Sequence, residues 1–194
     1  MARDDAALWA RIQSGDAEAF GLLFERYGQA IYAYCFHRTA DAGRAADLMS
    51  VTFIEAWRRR KVALHGDKVL PWLFGVATNV LRNERRARRR YQAALDRLPA
   101  ALDEQDFAEE ATNRLDAERR MREALHLLRR LSRGERDVLV LAAWQGLSPE
   151  DAADALGISA GAARTRLSRA RKRLALLTST ESSANSMTTK GVAP

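Results

Sequence analysis

The sequence holds a single cysteine, Cys35, so no internal disulfide can form and no zinc site can be built from cysteines. Set in AIYAYCF, it reads as a small buried hydrophobe. Three histidines, His37, His65 and His126, lie far apart and lack ligand spacing, so neither a metal nor a cofactor is expected. No apolar run approaches the roughly 20 residues that span a bilayer. Met1 leads straight into the charged stretch ARDD without the apolar segment of a secretory signal, which predicts a cytoplasmic protein with no membrane insertion. Alternating β-branched runs and hairpin signals are missing, which argues against sheet. No cluster of carboxylates, His or Cys sits in a basic setting, so neither an enzyme nor a small-molecule substrate is expected.

What is present is positive charge. The 194 residues carry a formal net charge of +7, which points to a polyanionic partner. Apolar content is ordinary for a globular protein, enough to build a core.

The chain reads as helix nearly throughout. Asp16 suits an N-cap for a helix whose stripe runs Phe20, Leu23, Phe24, Tyr27, Ile31 and Tyr34. DAGRAAD breaks that pattern, and a second helix follows with Leu48, Val51, Ile54 and Trp57 on one side. RRRKVALHGDK reads as a basic loop turning at Gly66. Pro71 suits the first turn of a third helix, with Leu73, Val76, Ala77 and Val80 as its stripe, running on into RNERRARRR. Residues 96–116 hold Pro99 and the acids Asp103, Glu104, Asp106, Glu109 and Glu110, and read as a flexible acidic linker between two basic ends. Beyond it, Met121, Leu125, Leu128 and Leu131 stripe another helix, and Ser132 with Glu135 makes a capping box. Residues 178–194 are polar and are expected to be disordered.

Between Ser148 and Leu174 lie the parts of a helix-turn-helix. Ser148, Pro149 and Asp151 open a short helix; Gly157 ends it; Ile158 plugs the turn; Ser159 caps a long basic helix. On a wheel of about 100° per residue, Ala163, Leu167, Ala170 and Leu174 fall on the buried side. Opposite stand Thr165, Ser168 and Lys172, with Arg169 beside them. Arg164 and Arg171 line one flank, Arg166 and Arg173 the other. A helix seated in a major groove needs this division, because its outer face meets base edges and its flanks meet phosphates. Ser159 and its neighbouring N–H groups add a phosphate site at the helix N-terminus.

A second basic segment holds Arg82, Arg85, Arg86, Arg88, Arg89 and Arg90, a crowding of like charge that suits a bound polyanion. Upstream stand Trp72, Phe74 and Asn79; an aromatic face can stack an unpaired base and an amide can read its edge. Trp72 equally fits a core position.

DLMSVTFIEAWRRR, PWLFGVATNVLRNERRARR and ERDVLVLAAWQGLSPEDAADALGISAGAARTRLSRARKRL, in that order, resemble a bacterial sigma-70 family factor of the extracytoplasmic-function group. The resemblance implies an all-α protein of two small helical domains joined by an acidic flexible linker. Residues 1–95 would form a sigma-2-like domain binding core RNA polymerase and the −10 element. Residues 117–177 would form a sigma-4-like domain binding the −35 element, with 96–116 as linker and 178–194 as tail. By position, Asp47, Ser50, Phe53, Glu55 and Trp57 would lie at the polymerase contact, Phe53 and Trp57 partly as core. Many members carry Gln-Glu where Ser50 and Val51 stand. The loop from Leu64 to Leu70, with His65, Asp67 and Lys68, falls where the family sets −10 specificity. Asn79, and Trp72 before it, fall near an extruded −10 base, and Arg82, Arg85 and Arg86 on the strand backbone. Arg164, Thr165, Ser168 and Arg169 match positions facing the −35 groove, flanked by Ser159, Arg166, Arg171 and Lys172. Promoter DNA, core RNA polymerase and an anti-sigma factor are the implied partners.

The linker, fully extended, would span about 70 Å, about two turns of DNA at roughly 34 Å each. A dimeric helix-turn-helix repressor or activator would explain residues 132–174 but leave 47–90 idle, and no further apolar stripe offers a dimer interface. A nucleic-acid enzyme would need acids in a basic cleft, whereas they concentrate in the linker.

Overall fold

A computed structural model describes residues 2–62, 64, 68–95 and 112–189, which contain helices and no strand. The N-terminal part comprises α1 (Ala2–Gln13), α2 (Ala17–Thr39), α3 (Ala42–Arg58) and α4 (Val69–Leu95). The C-terminal part comprises α5 (Thr112–Arg129), α6 (Arg133–Leu139) continuing into a π-helical turn (Val140–Trp144), α7 (Pro149–Leu156) and α8 (Ala160–Thr189).

The starts and stops obey local chemistry. Asp16 caps α2 by accepting from the Ala19 N–H, and Asp41 caps α3 by accepting from Arg44. The break is only two residues long: Ala40 turns left-handed (φ 51°), Asp41 caps, and the rest of DAGRAAD lies within α3. Ser132 and Glu135 form the capping box, and Ser148 accepts from the Asp151 N–H with Pro149 in the first turn. Gly157 ends α7 at φ 64°, a conformation that costs an L side chain energy but not glycine.

Burial follows the three-and-four spacing with two exceptions, Phe24 on the expected stripe of α2, which is exposed, and the stripe of α3. In α2 Leu23, Tyr27, Ile31 and Tyr34 are buried; in α4 Leu73, Val76, Ala77 and Val80 are. In α3 the buried set is Ala42, Ala45, Leu48, Thr52, Phe53 and Ala56, while Val51 and Ile54 face solvent. The expected stripe through Leu48, Val51, Ile54 and Trp57 advances three residues at a time, which lags the 3.6-residue turn and drifts off the buried face. Helix α1 carries no strong sequence signal, yet it buries Trp9 and Ile12 and is pinned where α3 ends. The Trp9 Nε1–H and the Gln13 amide both donate to the Val62 carbonyl, at 3.0 and 2.8 Å. Cys35 is buried, and burial pushes its thiol up to about 12, so it packs rather than reacts.

The two parts pack into one body through α4 and α7. Gly75 is the closest point: a Cβ there would sit 2.8 Å from the Ala155 carbonyl oxygen, so only glycine lets the helices approach this far. Around it, Lys68 Nζ lies 2.9 Å from Asp151 and 3.0 Å from Asp154. The Ala42 N–H donates to Glu118 at 3.0 Å. His37 meets Trp144 with ring centroids 4.6 Å apart and Gln145 at 3.2 Å. At the centre, Asp137 of α6 accepts from Arg38 at 2.5 Å and Arg82 at 3.2 Å, with its carboxylate and the Arg38 side chain almost wholly buried. Over the described residues the N-terminal and C-terminal parts thus stand in a closed arrangement. Of residues 96–116, those from Thr112 belong to α5; residues 96–111 lie outside the described ones. Helix α8 continues to Thr189, through much of the segment expected to be disordered. From Thr178 to Thr189 the sequence holds no proline or glycine to stop a helix.

Candidate nucleic-acid interface

Helix α8 is seated by Ala163, Leu167 and Ala170, all buried, against α6 and α7. The Ala162 N–H donates to Ser159 Oγ at 3.2 Å, and the Ile158 N–H to the Ala153 carbonyl at 3.1 Å, fixing the turn and the direction of α8. Thr165, Ser168, Arg169 and Lys172 then stand in solvent on the opposite side, with Arg171 exposed on a flank, as the wheel places them. Arg164 is exposed and bridges to Glu150 at 2.6 Å, a pair that costs little to break at the surface. Arg166 is half-buried and lies over Gly134, where a Cβ would come within 3.1 Å of its Nη1. It therefore braces α6 more than it projects outward. Arg173 bridges to Glu135 at 3.2 Å, and the Ser132 hydrogen bonds, then Arg173, hold that carboxyl below its usual range.

Helix α4 treats its cations differently. Arg82 turns to Asp137, and Arg85 donates to the Arg38 carbonyl at 3.2 Å, closing the C-terminal end of α2. Burial, then the neighbouring Arg38 charge, lowers the Arg85 guanidinium to about 10. Arg86 is exposed. Lys68 is raised above the usual lysine range by its hydrogen bonds to Asp151 and then Asp154. His65 and Asp67 lie outside the described residues. Trp72 meets Trp9 edge to face at 5.0 Å and is half-buried, a packing role.

Asn79 is exposed and opens into a groove of about 620 Å³ between α3 and α4. Asp47, Val51 and Glu55 line the other wall, so residues assigned to two different partners share one groove. Asp47 and Ser50 are exposed, and Glu55 bridges to Arg58 at 2.8 Å. Phe53 is 4% exposed and packs against Phe24 at 4.8 Å; it supports the α3 surface from behind and cannot itself form the contact. Trp57 is half-buried under Arg60, whose guanidinium lies 4.4 Å from the ring centre. The apolar groups that α3 does present, Val51 and Ile54, are two members of the stripe expected from the sequence.

Sequence reasoning also missed Arg38 and Asp137. The signal for Arg38 was its place four residues after Tyr34 on the buried stripe of α2, where a charge needs a partner. Among the described residues no group of His, Cys, Asp and Glu could hold a metal ion, and no helix is long and apolar enough to cross a membrane.

Two family descriptions match the chain: Sigma-70 region 2 over residues 23–91 and Sigma-70, region 4 over residues 121–174. The first spans most of α2, with α3 and α4, and the second spans the helix-turn-helix. The chain is 35% identical to the RNA polymerase sigma factor NccH of Alcaligenes xylosoxydans xylosoxydans, over 89% of this chain and 94% of that one. Among solved structures it resembles CnrH in complex with the cytosolic domain of CnrY, with a TM-score of 0.69 and 27% identity over 91% of this chain and 97% of that one. It also resembles the sigma factor RpoE in complex with the anti-sigma factor NepR from Bartonella quintana. There the TM-score is 0.61 and the identity 25%, over 82% of this chain and 96% of that one.

Proposed function

Because this chain belongs to the sigma-70 family, in its extracytoplasmic-function group, and is an RNA polymerase sigma factor, we propose how its residues divide the work. Residues 1–95 dock core polymerase and engage the −10 element; residues 117–177 read the −35 element; 96–116 link them and 178–194 follow as a tail. The observation that carries this is the solvent-facing row Thr165, Ser168, Arg169 and Lys172 on a capped, buried-backed α8. Arg169 and Arg164 donate to base edges in the major groove, while Ser159, Arg171 and Lys172 hold phosphates. Arg166 adds to the phosphate set only by swinging off Gly134.

Core polymerase docks on the outer face of α3 through Asp47, Ser50 and Glu55, with Val51 and Ile54 as its apolar part and Phe53 and Trp57 as its support. Asn79 takes a base extruded from the −10 element. Unstacking that base costs a few kcal/mol, which the pocket must recover. Lys68, Arg82, Arg85 and Arg86 hold the strand, releasing counterions so that log affinity falls by about 0.7 per phosphate of the melted strand against log salt. The closed packing must open first, since Lys68 and Arg82 are tied to α7 and α6. The polymerase performs the phosphoryl transfer; this chain supplies readout and melting in the cytoplasm and is no enzyme. An anti-sigma partner holds it in reserve, a reading supported by the complexes in which its structural relatives were solved.

Asn79→Ala tests the division most sharply. It should leave duplex binding by the holoenzyme intact and lower permanganate reactivity of the −10 thymines. Unchanged reactivity would remove Asn79 from the melted-base contact.

A further inference from the structure

Where α2, α4 and α6 meet, the closed packing encloses a cavity of about 130 Å³. Six guanidinium groups line it, those of Arg38, Arg82, Arg85, Arg86, Arg89 and Arg133, against one carboxylate, Asp137. That carboxylate is already shared between Arg38 and Arg82. Arg38 has a side chain only 3% exposed, and its Nε and Nη1 are buried without a hydrogen-bond partner. Buried donors of a charged group are costly to leave unmade. The depressed Arg85 guanidinium reports the same surplus of positive field.

We infer that this cavity is a binding site for a small polyanion of phosphoryl groups, which bridges the two halves of the protein in their closed arrangement. Guanidinium forks match phosphoryl oxygens two at a time, and several forks converge here from α2, α4 and α6. The volume is that of about four waters at roughly 30 Å³ each, enough for phosphate or pyrophosphate and too small for a DNA duplex. No aromatic side chain lines the cavity, so nothing there stacks a base; the recognised part is the phosphate alone. Occupancy would give acceptors to the Arg38 Nε and Nη1 donors and would hold Arg133 of the C-terminal part against the arginines of α4. It would also occupy Arg82, Arg85 and Arg86, so that, on the function proposed above, the bound protein is withheld from the −10 strand.

The test is calorimetric titration of the full chain with sodium pyrophosphate at fixed ionic strength, without DNA or polymerase. Failure of this site is thereby separated from failure of the promoter reading. One pyrophosphate per chain is expected. Arg133→Gln should weaken it by about tenfold, the loss of one charge-assisted hydrogen bond. Arg38→Gln should abolish it, but leaves Asp137 short of a partner and could unfold the protein, so the exposed Arg133 carries the test. Arg130→Gln makes the same charge change outside the cavity and should leave binding unchanged. ATP binding as tight as pyrophosphate would assign the site to a nucleotide's phosphate tail, and weaker ATP binding would assign it to the free anion; either keeps the site. Absence of saturable binding, or equal losses in Arg133→Gln and Arg130→Gln, would overturn it.

Discussion

Along α8, Arg169, Arg171 and Lys172 stand in solvent because the apolar side of the same helix is seated. Along α4, Arg82 and Arg85 turn to partners 55 and 47 positions away in sequence. On the proposed function, the first helix can meet DNA without rearrangement. The second has Arg82 and Arg85 committed to the fold, and of these Arg82 is tied to the C-terminal part through Asp137. On the proposed function, one chain carries a displayed reading surface on α8 and a partly engaged one on α4.

The deepest way to break this contrast is Asp137→Ala. It leaves Arg38 buried without its ion-pair partner and should cost about 3–5 kcal/mol in urea denaturation. A loss below about 1 kcal/mol would mean that the pair is solvated. Gly75→Val attacks the same packing sterically, since its Cβ meets a backbone carbonyl that cannot turn aside. It should cost about 1–3 kcal/mol and enlarge the radius of gyration in X-ray scattering while helix content holds. An unchanged radius would place the contact elsewhere.

The two helices also differ in how their cations bind. Arg169→Ala should weaken −35 binding by about 1–3 kcal/mol in a base-dependent way, whereas Arg82→Ala should weaken binding evenly across sequences. Competition with base-substituted duplexes separates the two, and an even loss from Arg169→Ala would demote it to a phosphate contact.

The smallest effect is acid sensitivity. Burial holds His37 below its usual pKa of about 6.5, so the folded protein binds fewer protons there than the unfolded chain. His37 adds stability at neutral pH that is lost as pH falls below about 6.5. His37→Phe should flatten that part of the stability profile; an unchanged slope would clear the ring of the role.

What was legible in the sequence was whatever one helix decides for itself. The caps at Asp16, Ser132, Ser148 and Ser159, the glycine stop at Gly157 and the division of α8 into sides all depend on neighbours within a turn or two. Arg38–Asp137 and Gly75–Ala155 were not legible, because each pairs residues from separate parts of the chain and neither partner names the other. The outward turn of Val51 and Ile54 was obscured by a three-residue spacing that imitates a stripe. The π-helical turn after α6 had no local marker at all.

The most direct measurement is gel filtration of the purified chain with core RNA polymerase, followed by transcription from a pool of genomic DNA fragments. Co-elution with new transcripts that begin at defined starts, downstream of shared −35 and −10 sequences, is the predicted result. No co-elution, with the chain instead binding palindromic DNA as a dimer, would contradict it.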